Sequence, residues 1–505
     1  MKMNALTAID FYKSSHGKQY PEGTEYVYSN FTPRTGKYSN APSINGVVNF
    51  GLQGFIKWFL IDMWNDTFFS KPLDEVITKY KRRMDNALGK NAVDMDHIVK
   101  LHKLGYMPVK IKALPEGALV PYGVPLLTII NTDPEFGWVT NYLESVMSAE
   151  LWRPMTSATL ALAYRKRFEA HARKTGSPAD FVQFQGHDFS FRGMGGMYDA
   201  AASGAGHLTA FSGTDTVPAI DYLEEYYGAD SDKELVGVSV PATEHSVQCM
   251  GGKETEIDTF RRLINDIFPA GIVSIVSDTW DLWEVMTKFL PELHDDIMAR
   301  DGRLVIRPDS GDPVDIICGK TEGYPSQEEY EFASGSPEFK GVYELLWDEF
   351  GGTINDKGYK VLDTHVGAIY GDSITLDRQD DILKRLEAKG FCASNLVLGI
   401  GSYSYVYSTR DTHGFAMKAT WGQVNGEGRE IFKDPITDDG MKKSAKGLLQ
   451  VFSETPEWDA PVEYRLIDQV SKDEEAKGDL EVVFENGNLV KETTLAEIRA
   501  RVSSL

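Results

Sequence analysis

From residue 181 to residue 401 the chain repeats one plan: a short apolar run, a polar cluster, then a stretch with helical spacing. The run at 181–184 leads into Gly186-His187-Asp188, and that at 208–211 into Gly213-Thr214-Asp215. The run at 236–240 leads into Ala242-Thr243-Glu244-His245, that at 272–276 into Ser277-Asp278, and that at 304–306 into Arg307-Pro308-Asp309-Ser310-Gly311. The last two, 366–370 and 396–398, lead into Gly371-Asp372 and Gly399-Ile400-Gly401. Between them the spacing is helical: Ile257, Phe260, Leu263, Ile264 and Ile267 recur at three to four residues, and Ile382, Leu386 and Ala388 precede the helix stop Gly390.

Most of these units recur at about 30 residues, the size of a strand–helix unit. The gap between Arg307 and Tyr370 is about double and holds an insertion at 321–340. Short buried strands alternating with helices predict an α/β barrel or a doubly wound sheet. One polar cluster after a strand is more often a helix cap than a catalytic group. Seven in series favour the barrel, whose active sites gather at the C-terminal ends of its strands.

The flanks follow a different period. Residues 109–113 and 126–130 alternate apolar and polar, with turn signals at Pro115-Glu116-Gly117 and Pro121-Tyr122-Gly123. Short strands return at 480–484 and 489–490, and helices are expected around 50–63 and 143–151. The reading is a barrel-like domain at 151–400 and a β-rich domain built from both ends of the chain, 1–150 and 401–505.

Composition narrows the class of protein. No window approaches the ~18 uninterrupted apolar residues of a membrane helix, and the first 20 residues lack the apolar stretch of a secretory signal. Three cysteines, Cys249, Cys318 and Cys392, are widely separated and in no metal-ligand spacing, which points to a reducing, cytoplasmic setting. A net charge of −23 argues against affinity for nucleic acid or anionic lipid. Against it, the stretch 410–446 carries seven Lys/Arg and six acids, a near-neutral island that could hold an anion or simply be solvated.

Neither a Gly-x-x-x-x-Gly-Lys-Ser/Thr phosphate loop nor a Gly-x-Ser-x-Gly elbow is present. What remains handles anions. Arg307, beside Asp309 and the Gly311 turn, is a bidentate phosphate donor at a strand end. Gly371-Asp372 and Gly399 to Gly401 offer backbone N–H groups to a phosphate. Asp278, Asp309 and Asp372 could hold ribose hydroxyls or, through water, Mg²⁺. Phosphorylated-sugar chemistry on a barrel follows from these residues; the acceptor does not.

At the same residues the chain resembles the nicotinamide phosphoribosyltransferases, a type II phosphoribosyltransferase family. Asp10-Phe11-Tyr12-Lys13 with His16 to Pro21 resembles their N-terminal signature, and His187-Asp188-Phe189-Ser190-Phe191-Arg192-Gly193 their HDFG-Y-RG segment, with Ser190 and Phe191 as departures. Further segments follow in the same order: Gly213 to Thr216, Ser239 to Ser246, Val276-Ser277-Asp278, Ile306 to Gly311, Gly371-Asp372, Thr409-Arg410-Asp411 and Phe432 to Pro435. Gly367 stands where the animal members are expected to have arginine.

The resemblance implies roles. Phe189, with Tyr12 of a partner subunit, would sandwich a pyridine ring, and Asp215 would accept from its carboxamide. Ser239, Ser274, Arg192 and Arg307 would serve the substrates around it, with Asp309 near the reacting ribose. Gly371, Asp372 and Gly401 would hold ribose and 5′-phosphate. Arg34, Arg410, Lys418, Lys433 and Lys442 would reach pyrophosphate and nucleotide across a homodimer interface. His245, oriented by Asp278, would be phosphorylated by ATP, with Mg²⁺ near Asp309 and Asp372. The implied reaction joins nicotinamide to phosphoribosyl pyrophosphate in NAD salvage. The rivals are a nicotinate phosphoribosyltransferase of the same fold, a catalytically silent interaction protein, and an unrelated phosphosugar enzyme.

Overall fold

The computed structural model describes residues 3–433, 445–454 and 462–505. The chain divides into two units, Leu160–Ile220 with Asp232–Tyr407, and Met1–Thr159 with Asp221–Ser231 and Ser408–Leu505. The boundary near residue 160 falls inside one long helix, Val139–Thr175. Among the described residues no helix is long and apolar enough to cross a membrane.

The first unit is built on six parallel strands in the order Gly213–Thr214, Gly186–Phe189, Leu396–Gly401, Val366–Tyr370, Asp301–Arg307, Ala270–Val276. Single parallel bridges, Gly213 to Val238 at one edge and Ala242 to Ser274 at the other, bring the segment 238–242 between the two edges and close the ring. Val273, Ile275, Leu304, Ile306, Leu396, Leu398 and Ile400 are buried at every second position, and Ser274, Val305 and Val397 between them turn to the barrel interior. Because every strand runs the same way, the polar residue ending each one arrives at the same mouth.

Three expected strands are not strands: residues 236–240 join the sheet only through the single bridge at Val238, and the other two are displaced. Residues 181–184 lie in the 3₁₀ helix Ala179–Phe184, and the strand is the polar run that follows it. In a 3₁₀ turn residues three apart eclipse, which sets the Phe181 and Phe184 rings 6.2 Å apart on one side, toward the barrel interior. Residues 208–211 form the turn that ends helix Met197–His207. Phe211 there is buried against the bare backbone of Gly186, where a Cβ would lie 2.7 Å from its ring. In both places the apolar residues fill the space beside the sheet instead of building it.

The second unit carries a seven-stranded antiparallel sheet in the order Glu427–Glu430, Phe415–Val424, Thr24–Pro33, Leu127–Asn131, Val109–Ala113, Glu481–Glu485, Asn488–Leu489. Both ends of the chain therefore meet in one sheet. On the strand Val109–Ala113 the alternation is realised: Val109, Ile111 and Ala113 are buried. Its outward lysines pair, Lys110 with Glu485 at 2.8 Å and Lys112 with Glu475 at 2.7 Å.

Candidate active site

At the C-terminal mouth of the barrel the side chains form one connected set. Strand Gly186–Phe189 turns His187 and Phe189, two residues apart, to the same face, and their rings lie 4.8 Å apart. His187 Nε2 is 2.9 Å from Asp215 Oδ1, and the Ser239 hydroxyl donates to the same oxygen at 2.6 Å. Burial alone would push the Asp215 carboxyl upward. The hydrogen bonds from His187 and Ser239, with the charges of His187 and Arg307, outweigh it and hold Asp215 below the usual carboxylate range.

Phe189 has a floor of glycine. A Cβ on Gly371 would lie 2.6 Å from the ring, and one on Gly399 would lie 2.2 Å from it. Neither glycine has a positive φ, so their common property is the absent side chain. The ring, Asp215, Ser239, Ser274 and Arg307 border a cavity of about 400 Å³ inside the barrel, with Phe181 and Phe184 also on its wall. Ser274 Oγ and Arg307 Nε are buried at this wall without a hydrogen-bond partner among the described residues, which marks it as prepared for a polar guest. Arg307 is anchored through Nη2, which donates to the Thr243 carbonyl at 2.7 Å.

Beside the cavity, His245 opens the helix His245–Gly251. Its Nε2 lies 3.9 Å from Asp278 Oδ1 and 3.8 Å from Asp309 Oδ2, while Nδ1 is 3.0 Å from the Thr279 hydroxyl. The expected orienting partner, Asp278, is thus outside hydrogen-bond distance, and the Thr279 hydroxyl is the group within reach of the ring. Asp278 is engaged elsewhere: Oδ2 accepts from Asp309 N at 3.0 Å and from the Ser310 hydroxyl at 2.5 Å, which shapes the Arg307–Gly311 turn. Burial raises the Asp309 carboxyl above the usual range; Arg307 and His245 oppose the shift, and Asp278 and Asp372 add to it. Asp372 and Arg192 are exposed, and Gly401 is half-buried.

The remaining expected residues lie in the other unit. Tyr12 and Arg410, far apart in the sequence, line one surface cleft of about 480 Å³ with Asp10 and Trp152. Arg34 is exposed and donates through Nε to the Gly414 carbonyl at 2.8 Å. Lys418 is half-buried on the strand Phe415–Val424, Lys433 is exposed, and Lys442 lies outside the described residues. His187 and Thr279 were not expected in the site. Period two from Phe189 is the signal that finds His187; Thr279 follows Asp278 immediately, and nothing in the sequence separates their roles.

A family model for the nicotinate phosphoribosyltransferase (NAPRTase) family matches residues 184–488, and one for the nicotinamide phosphoribosyltransferase N-terminal domain matches residues 4–111. A nicotinamide phosphoribosyltransferase of Acinetobacter baylyi is 56% identical over 99% of this chain and 97% of that protein. One from Xanthomonas campestris is 32% identical over 99% and 98%. Among solved structures, a nicotinate-nucleotide pyrophosphorylase from Pyrococcus furiosus superposes with a TM-score of 0.55 at 15% identity, covering 99% of this chain and 95% of that one. Human nicotinic acid phosphoribosyltransferase does so with 0.54 at 16%, covering 98% and 92%. These two likenesses establish the fold.

Proposed function

This chain belongs to the nicotinamide phosphoribosyltransferase family, and on that premise we propose that the barrel mouth joins nicotinamide to phosphoribosyl pyrophosphate, giving nicotinamide mononucleotide for NAD salvage in the cytoplasm. The pyridine nitrogen would form the bond to C1 of the ribose as the C1–oxygen bond breaks. The leaving pyrophosphate takes the electron pair, and the ring becomes a pyridinium. Phe189 would stack on the ring, and Asp215 would accept from the carboxamide N–H. Arg307 would face the negative charge that develops on the leaving group. Alignment of ring and ribose is then the main demand on the protein.

The observation that carries this reading is the ionised Asp215, fixed by His187 and Ser239 at the edge of the cavity. A carboxylate accepts from an amide and repels a second carboxylate.

Tyr12, Arg34, Arg410, Lys418, Lys433 and Lys442 would come from a second copy of the chain in a homodimer. The side-by-side placement of exposed Tyr12 and Arg410 supports this, because it pairs an aromatic surface with a cation. Among the described residues no group of three or more His, Cys, Asp or Glu could cage a metal. The donor set fits Mg²⁺ held largely by substrate oxygens and water, with Asp309 and Asp372 as its protein contacts. Such an ion would neutralise charge on the departing pyrophosphate.

For ATP as co-substrate, His245 is the acceptor. With Nδ1–H donating to Thr279, Nε2 keeps its lone pair for the γ-phosphorus, and ADP leaves as the Nε2–phosphorus bond forms. Incubation of the purified protein with nicotinamide, phosphoribosyl pyrophosphate and Mg²⁺, with chromatographic detection of the mononucleotide and pyrophosphate, tests the reading. Product from nicotinate alone would replace it with the nicotinate reading.

A further inference from the structure

Behind the carboxamide-binding carboxylate lies a buried histidine that the proposed reaction does not use. His207 ends the helix Met197–His207 and is fully enclosed. Both ring nitrogens are engaged. Nε2 is 3.0 Å from the carbonyl of Gly213, and Nδ1 is 2.6 Å from the hydroxyl of Tyr405. A carbonyl can only accept, so Nε2 carries the proton. Burial holds the imidazole neutral, lowering its pKa to about 4 despite the neighbouring Asp188 carboxylate. Nδ1 is therefore the acceptor, and Tyr405 donates to it.

The two partners belong to different substrate subsites. Gly213 begins the two-residue strand Gly213–Thr214, and Asp215 follows directly. Backbone pairing holds that strand on both sides, to Gly186–Phe189 and, through Thr214 N–H to the Val238 carbonyl at 2.9 Å, to the segment at 238; Thr214 also reaches Asp188 Oδ2 at 3.3 Å, and His207 adds a side-chain donor at the Gly213 carbonyl itself. Gly213 also abuts His187, since a Cβ there would lie 2.7 Å from His187 Nδ1. A shift of the Gly213 peptide would therefore move both members of the His187–Asp215 pair. Tyr405 lies on the helix Ser402–Val406, which continues from the strand Leu396–Gly401 that supplies Gly399, half of the glycine floor of Phe189. Phe211 stacks on the imidazole with ring centroids 5.1 Å apart, and the Tyr405 ring meets it edge-on at 5.9 Å, so the histidine cannot turn.

We propose that His207 is a positioning residue: through Gly213 it sets the Asp215 carboxylate, and through Tyr405 it ties that carboxylate to the element carrying Gly399 and Gly401. The proposal rests on the reading of Asp215 as the carboxamide acceptor.

Two substitutions separate the two bonds. In His207→Gln the side-chain amide N–H reaches the place of Nε2 and can still donate to Gly213. In His207→Asn the amide reaches only the place of Nδ1, keeps a partner for Tyr405 and loses the Gly213 bond. His207→Asn should raise the KM for nicotinamide about tenfold or more, the size of one lost buried hydrogen bond, and should narrow the preference over nicotinate. In the same variant the KM for phosphoribosyl pyrophosphate should stay within about twofold, and His207→Gln should restore the KM for nicotinamide to within about threefold. An unchanged nicotinamide KM in His207→Asn would overturn the proposal. So would equal losses of kcat in both variants with neither KM moved.

Should the variants not fold, ¹⁵N-histidine NMR of the unmodified enzyme decides the matter. A neutral Nε2–H tautomer for His207 supports the proposal and an Nδ1–H tautomer overturns it. If the unmodified enzyme makes no mononucleotide from nicotinamide, it is the reading of Asp215 that fails instead.

Discussion

His187 and Asp215 meet through one ring nitrogen and one carboxylate oxygen, 2.9 Å apart, although 27 residues separate them in the chain, His187 within the strand Gly186–Phe189 and Asp215 just after the strand Gly213–Thr214. The hydrogen bond from His187 is the largest single influence that lowers the Asp215 carboxyl. On the proposed reading nicotinamide binding needs the ionised carboxylate, so it is retained above the Asp215 pKa and lost below it. His187→Ala removes that influence and should move the acid limb of nicotinamide binding to higher pH. Calorimetric titration of the unmodified and variant proteins across the acid range checks this; an acid limb that stays in place contradicts it.

Phe189 rests on Gly371 and Gly399 with no room for a methyl group. Gly371→Ala is a clean steric probe, because alanine is at ease with the backbone there and only the ring must move. Displacing a stacking surface by about 1 Å costs on the order of a hundredfold in catalysis. The expected result is a fall of about 10- to 100-fold in kcat/KM for nicotinamide, with the folded state intact by circular dichroism.

Thr279, not Asp278, is within hydrogen-bond distance of His245. If Nδ1–H···Oγ1 fixes the tautomer, Thr279→Val should reduce formation of phosphohistidine by about tenfold, the worth of one hydrogen bond, while ATP-independent synthesis changes little. Labelling with [γ-³²P]ATP and a parallel synthesis assay measure the two separately. Full labelling of Thr279→Val would return the orienting role to Asp278.

Asp309 is strained by its own charge. Its folded pKa lies above the unfolded value, so the stability tied to this group is present below the usual carboxylate pKa and is lost as pH rises through the folded pKa. Above that point the ionised group is a net cost. Asp309→Asn should abolish synthesis and yet raise Tm by about 1–3 °C at pH 7.5. The gain should shrink as pH falls toward 4. A loss of Tm at neutral pH would mean that the charge is structural, not catalytic.

The barrel was legible because burial on both faces writes an unmistakable apolar run at 272–276, 304–306, 366–370 and 396–398. The strands Gly186–Phe189 and Gly213–Thr214 were displaced in the reading, because their own residues are polar and small. The apolar neighbours that gave the signal, Phe181, Phe184 and Phe211, pack beside the sheet. Among site residues, Arg307 and Asp309 follow from their place at a strand end and Phe189 and Asp215 from motif resemblance, whereas the His187–Asp215 and Thr279–His245 contacts are long-range pairings that no local pattern encodes. Gly371 and Gly399 were read as phosphate donors; their packing under Phe189 depends on a rotamer and is invisible in sequence.

Asp215 carries the substrate assignment. A nicotinate carboxylate ~4 Å from it, at an effective dielectric of ~20, is repelled by about 4 kcal/mol before screening and before Arg307 is counted. Loss of the amide hydrogen bond adds roughly 1–3 kcal/mol. Half of that total still exceeds tenfold, since ~1.4 kcal/mol is a factor of ten. The direct test is kcat/KM for nicotinamide and for nicotinate, side by side, in the unmodified enzyme and in Asp215→Ser. The assignment predicts a preference for nicotinamide well above tenfold that collapses in the variant, through poorer use of nicotinamide and relief toward nicotinate. Equal use of both substrates by the unmodified enzyme, or a preference untouched by Asp215→Ser, would contradict it.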